Sequence, residues 1–390
     1  MTVLVLAASM CVSAAGVPPE LGDNEVKLGA DAAAQVAKEY KLSDNAADLK
    51  RVREIGARIA EAVNKAAATD ADGKPLSPPR CKFEVLYGSP IITPFEYKFD
   101  IIEDKDVNAF CVPGGHVYVY RGLLDFVQSD DELALVLAHE CTHAAHHHMV
   151  YLLKKQAALQ NAEAIALLAT IVSGAKSADV FNIQRGLMLL EIARVNGYGV
   201  QAERDADTGA VHYALAAGYN PVGLLTFMER MARQPELIDW GIYRSHPLDA
   251  ERVAATKRLL SKLGVSINRR AVTKAISAEV RTEKIDGADV PEVVISDQVV
   301  YRPAPTHSKT SAQLAQEAAD RINAALDSDV RMHELRLDTT AAAVSARGEV
   351  LIQVSEADAK LMNSTPGQVA AAIATAIRNV IITQMANTVH

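Results

Sequence analysis

His139-Glu140-Cys141-Thr142-His143 sets two imidazoles four residues apart with a carboxylate beside the first. On a helix, residues four apart share a face, so both rings can grip one ion from the same side. Zn²⁺ takes neutral imidazole ligands of this kind and lowers the pKa of a bound water to about 7. Glu140 sits about 100° around the helix from His139, beside the metal rather than under it, where it can take a proton from that water. With eleven histidines in 390 residues, about 0.02 HExxH strings are expected by chance, so the match is informative.

The elements around the string must make a helix and supply one more ligand. Asp131 through Ala138 reads as helix, with Ser129 or Asp130 as cap and acidic residues in its first turn. It is apolar nearly all round, which predicts burial, and buried histidines and a glutamate must be paired or metal-bound. A third histidine at 149, as in HExxHxxGxxH, is disfavoured because positions 146 and 149 are His146 and Met149. Glu203, in Gln201-Ala202-Glu203-Arg204-Asp205-Ala206-Asp207, is the better candidate. Helical spacing puts Asp207 on the same face, placed to orient His139 or His143 from behind. A solvated acidic helix face is the other reading of that stretch.

The chain resembles the HtpX/BepA-type gluzincin metallopeptidases, relatives of the CAAX prenyl proteases. Asn108 through Val119 is similar to the family's NAFxxPGGxVxV segment and continues into Arg121-Gly122-Leu123-Leu124. His139 to His148 resembles HExxHxxxxH, Glu203 to Asp207 its ExxAD helix, and Ala217-Gly218-Tyr219-Asn220-Pro221 its AGYDP turn. Ser245-His246-Pro247 with Arg252 resembles SHPxxxxR, and Glu25 to Leu28 and Ile55-Gly56-Ala57-Arg58 fit the start. The likeness runs in order from about residue 20 to 262.

The resemblance implies roles. His139, His143 and Glu203 would bind one zinc ion, and Glu140 would be the general base. His246 would lie near the metal, stabilising an oxyanion or capping the resting ion, while Arg252 and Asp207 would hold the site together. A donor aimed at developing negative charge is what a tetrahedral intermediate needs. Asn108, Gly114, Gly115, His116 and Val117 would bind substrate. Gly115 to Tyr120 alternates as a strand and, by the resemblance, is an edge beside the cleft, open to strand addition by an extended peptide. Two features depart from the family: Cys111 and Cys141 replace small apolar residues, and His146, His147 and His148 cluster. His146 lies one turn further along the metal face, where it can perturb affinity or take a second ion.

Composition bounds the rest. A chain of 390 residues with 49% apolar content is long enough for two globular domains. A net charge of −8 gives no basic footprint, so nucleic acid is not an expected partner. Residues 1–16 are uncharged, apolar and end in small residues, which reads as a signal peptide and predicts export, to a bacterial periplasm, with no transmembrane helix in the mature chain. Cys81, Cys111 and Cys141 then remain, an odd set that does not form a disulfide framework.

The expected fold class is α+β: a mainly helical zincin-like metallopeptidase domain with a small sheet over 17–263, a linker over 264–290, and a C-terminal α+β module over 291–390. The first domain should hold two helices within 20–68 and strands at Lys82–Tyr87, Glu96–Glu103 and Gly115–Tyr120. Helices should follow at the HExxH segment, 152–173, 182–195, Glu203, 221–232 and 248–263. The module should run strand 292–301, helix 311–326, strands 333–340 and 349–354, helix 366–385, with Thr365-Pro366 marking the last helix start. It shows no catalytic constellation, and docking of a membrane-associated or envelope protein partner is its expected role.

Together these predict an exported zinc endopeptidase acting on polypeptides, by the resemblance misfolded or misassembled envelope proteins. One rival is a zinc-bound, proteolytically silent chaperone or assembly factor using the same cleft, its water displaced by His246. Another is a self-limited zymogen covered by residues 162–181.

Overall fold

The computed structural model describes residues 19–67, 74, 76–158, 165, 168, 189, 199–232, 246, 250–273, 276–285, 287–328 and 330–386. Residues 1–16, expected to be a signal peptide, and nearly all of the 162–181 segment lie outside them. The chain divides into two compact units: Met1–Leu224 with Ile238–Thr256, and Leu225–Leu237 with Lys257–His390.

The first unit opens with α1 (Pro19–Glu39) and α2 (Ala46–Asn64), the two helices expected there. Asn45 caps α2, its side chain accepting from the N–H groups of Ala47 and Asp48. A three-stranded sheet follows: β1 (Lys98–Ile102), β2 (Ala109–Val112) and β3 (His116–Tyr120), in the order β1-β3-β2. β3 runs parallel to β1 and antiparallel to β2.

Two expectations are corrected here. Residues 82–87 form no strand; Cys81 and Arg80 make only isolated bridges to Ala67 and Ile91. β3 is the centre of its sheet, not its edge, so neither of its sides is free for an added strand. Its long hydrophobic alternation reflects that central place, and the two edges are β1, packed on α2, and β2, packed on the helix that carries the HExxH string. Gly114 and Gly115 have positive φ values of 78° and 90° and make the turn that reverses β2 into β3.

The short α3 (Arg121–Phe126) leads into α4 (Asp130–Ala145), which carries the HExxH string, and α5 (His148–Ala158) follows after a break. Later come α6 (Val200–Ala216), α7 (Val222–Ala232) and α8 (Ala250–Lys262). Apart from Leu189, the expected 182–195 helix lies outside the described residues. Among the described residues no helix is long and apolar enough to cross a membrane. Cys81, Cys111 and Cys141 are all free thiols.

The second unit holds two three-stranded antiparallel sheets, β4 (Ala278–Ile285) with β5 (Ala288–Ile295) and β6 (Gln298–Tyr301), and β7 (Leu335–Asp338) with β8 (Ala343–Ala346) and β9 (Glu349–Gln353). Helices α9 (Ser311–Asp327), α10 (Glu356–Leu361) and α11 (Pro366–Ala386) complete it. Val293, Ile322, Val344, Ile352, Ile373 and Ile377 share its core. The linker expectation fails, because β4 occupies most of the second half of 264–290. Four successive exposed residues of β4, Arg281 to Lys284, disguise a strand whose apolar contacts come from Ala278 and Val280. The single strand expected at 292–301 is two, reversed at Ser296 and Asp297, both in the left-handed region.

Candidate metal centre

α4 is built to bury its polar face. Ser129 accepts from the Glu132 N–H, and Glu132 in turn accepts from the Gln128 N–H, closing the first turn. Every residue from Glu132 to Ala145 is buried. α6 lies against α4 at Gly209, where a Cβ would collide with the side chain of Thr142. That close approach brings the first turn of α6, and with it Glu203, to the histidine face of α4.

His139, His143, Glu203 and His246 offer ligand atoms that all lie within 4.8 Å of one another, and all four residues are buried. Nε2 of His143 is 3.1 Å from Nε2 of His139. Glu203 places Oε2 3.4 Å from His139 Nε2 and Oε1 3.6 Å from His143 Nε2. Nδ1 of His246 stands 3.2 Å from His139 Nε2 and 3.0 Å from Glu203 Oε1. A tetrahedral zinc ion with arms of about 2.0–2.1 Å has ligand–ligand edges of about 3.3–3.4 Å. The donor set and its spacing therefore fit one zinc ion, with His246 at the fourth corner.

The surroundings hold these ligands in place. Nδ1 of His139 is 3.1 Å from Oδ1 of Asp207. Arg252 donates to both oxygens of Asp207 at 2.8 Å and places Nη1 3.0 Å from Oε2 of Glu203. It also donates to the backbone oxygen of His246 at 3.4 Å. One buried guanidinium thus ties together the helix supplying the carboxylates, its own helix α8 and the His246 backbone.

The electrostatics follow. Burial favours neutral His139, but hydrogen bonding to Asp207 and Glu203 outweighs it and raises its pKa to about 10; a bound cation would take that proton's place. His143 is held well below the ordinary imidazole range, by burial first and then by His139, His148 and His246. Burial works to raise Glu203, yet His246, Arg252 and His139 keep its carboxyl well below the usual carboxylate range. Glu140 goes the other way. Burial raises it, against the pull of His246, His139 and the backbone N–H of Cys111. Its Oε1 lies 3.4 Å from Nε2 of His246, and its Oε2 is buried with no hydrogen-bond partner among the described residues. A raised carboxylate with an open lone pair beside the metal position has the features of a general base.

A second histidine cluster has different geometry. His146, His148 and Asp205 also come together. Asp205, however, already receives donors on both oxygens: Leu86 and Tyr87 N–H on Oδ1, His146 and His148 on Oδ2. These are hydrogen-bond contacts on a carboxylate whose acceptor sites are taken. Nε2 of His146 meets Tyr213 Oη at 2.9 Å. His147 pairs with Glu25 and Thr93. All three histidines are buried.

The residues expected to bind substrate are distributed otherwise. Asn108 is buried, its Oδ1 accepting from the Ala109 N–H. Gly114 packs against the α1 backbone at Val26, and Gly115 against Phe95 and Tyr97. Val117 is fully buried in β3 and His116 half-buried at its start. Downstream of Asn108 on β2, the backbone N–H of Cys111 reaches Glu140. The alternation that pairs Asn108 with Tyr120 leaves the backbone groups of Ala109 and Cys111 on the outer side of β2, towards Glu140. Sequence reading missed this edge, although the NAF string already lay on it. Ser245 and Pro247 lie outside the described residues.

An HExxH helix facing a glutamate from a second helix defines the gluzincin class of metal centre. The comparisons point the same way: residues 87–260 match the model of peptidase family M48. Residues 291–384 match a domain of unknown function, DUF8459. Metalloprotease LoiP of Escherichia coli is 30% identical over 177 residues, covering 44% of this chain and 65% of that protein. A putative beta-barrel assembly-enhancing protease of Vibrio cholerae is 27% identical over 183 residues, 44% of this chain and 36% of the relative. Mitochondrial metalloendopeptidase OMA1 of Schizosaccharomyces pombe is 31% identical over 136 residues, 35% and 38% of the two chains. The chain thus spans less than two-thirds of the length of each of these relatives.

Proposed function

We propose that this protein is a zinc-dependent endopeptidase whose ion is held by His139, His143 and Glu203. The observation that carries the reading is the near-tetrahedral set of buried donor atoms beside the raised carboxylate of Glu140. The ion, when bound, supplies Lewis acidity to a substrate carbonyl and acidifies a water. An extended peptide pairs with the outer side of β2, which no other strand of the sheet covers among the described residues. Glu140 takes the proton from the attacking water and returns it to the leaving amine. His246 and Arg252 supply positive charge near the developing oxyanion, and Asp207 keeps His139 turned to the ion.

A second reading is favoured by one contact. Nδ1 of His246 occupies the fourth corner, and zinc sites closed by four protein ligands are structural, whereas catalytic ones keep a position open. In this arrangement the centre is capped, and hydrolysis requires His246 to leave. A proteolytically silent assembly factor would keep it there.

The relatives are named as proteases, one of them as a beta-barrel assembly-enhancing one, which supports polypeptide substrates; our reading extends this to misfolded or misassembled envelope proteins met after export to a bacterial periplasm. The second unit is then the docking element for an envelope or membrane-associated partner. Metal analysis with casein digestion tests the core of the proposal. Wild type should carry one zinc and cleave casein, chelator should abolish cleavage, and Glu140→Gln should keep the metal but lose about 10²–10⁴-fold in rate. Equal cleavage by wild type and Glu140→Gln would sink the mechanism; zinc without any cleavage favours the silent reading.

A further inference from the structure

The two histidines of α4 are supported differently. His139 meets Asp207 directly. Nδ1 of His143 instead lies 2.9 Å from Nδ1 of His148. Two ring nitrogens at that distance share one proton. Nε2 of His143 faces the other ligand atoms, so its lone pair is committed there and its proton sits on Nδ1. Nδ1 of His148 is then the acceptor, which puts the His148 proton on Nε2. That nitrogen has two acceptors, Oδ2 of Asp205 at 3.1 Å and the backbone oxygen of Tyr87 at 3.2 Å. Each proton of the line is thereby assigned, and each finds an acceptor.

The chain is shaped for this line. α4 ends at Ala145, and His147 adopts a left-handed φ of 58°, so His148 begins a new helix with its ring turned back to His143. In an unbroken helix a residue five positions on would point about 140° away. Gly88 permits the fit, since a Cβ there would collide with the His146 carbonyl and crowd the His148 ring. Asp205, fully buried, is fixed by four donors, so it cannot swing away.

We propose that Asp205, through His148, is a positioning residue that fixes the ring of His143 for the metal. Helix α6 would then supply one ligand, Glu203, and the supports of both histidines, Asp207 directly and Asp205 through one intervening imidazole. The proposal rests on reading the centre as a zinc site and deepens it.

The test uses the full chain and measures zinc affinity by chelator competition, with the visible spectrum of the Co²⁺-substituted protein as second readout. His148→Gln keeps a donor for Asp205 but loses the acceptor for His143. His148→Asn keeps the acceptor but loses Asp205. Each should weaken zinc 10–100-fold and shift the cobalt bands. His147→Asn, a neighbouring buried change outside the line, should leave affinity within twofold of wild type. Folded His148 variants with wild-type affinity and cobalt bands would overturn the proposal. So would a His147→Asn variant weakened as much as they are, or failure of both His148 variants to fold beside a folded His147→Asn, since each result assigns the cluster to packing alone. A wild-type chain that takes up no zinc would instead remove the underlying metal reading, before any variant is compared.

Discussion

Nδ1 of His246 lies 3.0 Å from Oε1 of Glu203, inside the ring of donors that would surround a metal ion. Removing it should leave three protein ligands and an open position, the arrangement of catalytic zinc. His246→Ala is therefore expected to retain zinc, with lower affinity, and to cleave casein more slowly than wild type because an oxyanion donor is lost. A faster variant that still holds zinc would show that the role of His246 as a cap outweighs its oxyanion role.

Arg252 is buried against Asp207 and Glu203, and its loss would leave both carboxylates dependent on imidazole partners such as His139. Breaking a buried pair from one side costs about 3–5 kcal/mol. Arg252→Gln should lower the unfolding free energy of the metal-free protein by an amount of that order, read as a lower urea midpoint at unchanged slope. Arg252→Lys should recover only part of it, because an ammonium cannot bridge both Asp207 oxygens in a plane. An unchanged midpoint in Arg252→Gln would contradict the assigned pairing.

Gly209 allows α6 to touch α4 at Thr142. Gly209→Val should force the helices apart and cost about 1–3 kcal/mol by overpacking. Because Glu203 rides on α6, zinc affinity should fall with stability. Calorimetry on the metal-free and zinc-loaded variant would separate the two effects; a stability loss without any change in affinity would mean that the Glu203 turn moves independently of residue 209.

Metal removal should destabilise the first unit on its own. Zinc at 1,000 times its dissociation constant adds about 4 kcal/mol. Chelator should lower the thermal midpoint and zinc should restore it, whereas an identical midpoint with and without chelator would argue against occupancy of the centre.

His146 gives a pH signature away from the metal. Burial favours its neutral form, but Asp205 and Cys81 outweigh that and raise its pKa to about 9. A folded pKa above the unfolded value of about 6.5 stabilises the fold fully below pH 6.5, and the contribution disappears as pH rises through 9. Wild type should lose stability over that window relative to His146→Gln. Parallel pH profiles for the two proteins would remove His146 as the cause.

The parts of this molecule legible in the sequence are those governed by local spacing. The histidine pair, Glu140 and the helix carrying Glu203 follow from helical periodicity, and the cap at Ser129 from residue type. The place of β3 was not legible, since a strand becomes central or peripheral through distant pairing, here with Lys98–Ile102. β4 was hidden because its solvent face is a run of charges. The role of Asp205 looked like ordinary surface charge because its partner His148 reaches it only through the break after Ala145. Such a turn leaves no periodic signal.

Glu203, Asp205 and Asp207 all project from one rigid helical segment, Val200–Ala216. A single-residue insertion or deletion between Asp207 and that helix's contact at Gly209 would turn all three acidic groups by about 100° together. The centre would then be lost as a whole rather than weakened step by step. Length changes in that one turn are therefore the alterations this chain can least absorb, while the loops outside the helix remain free to vary.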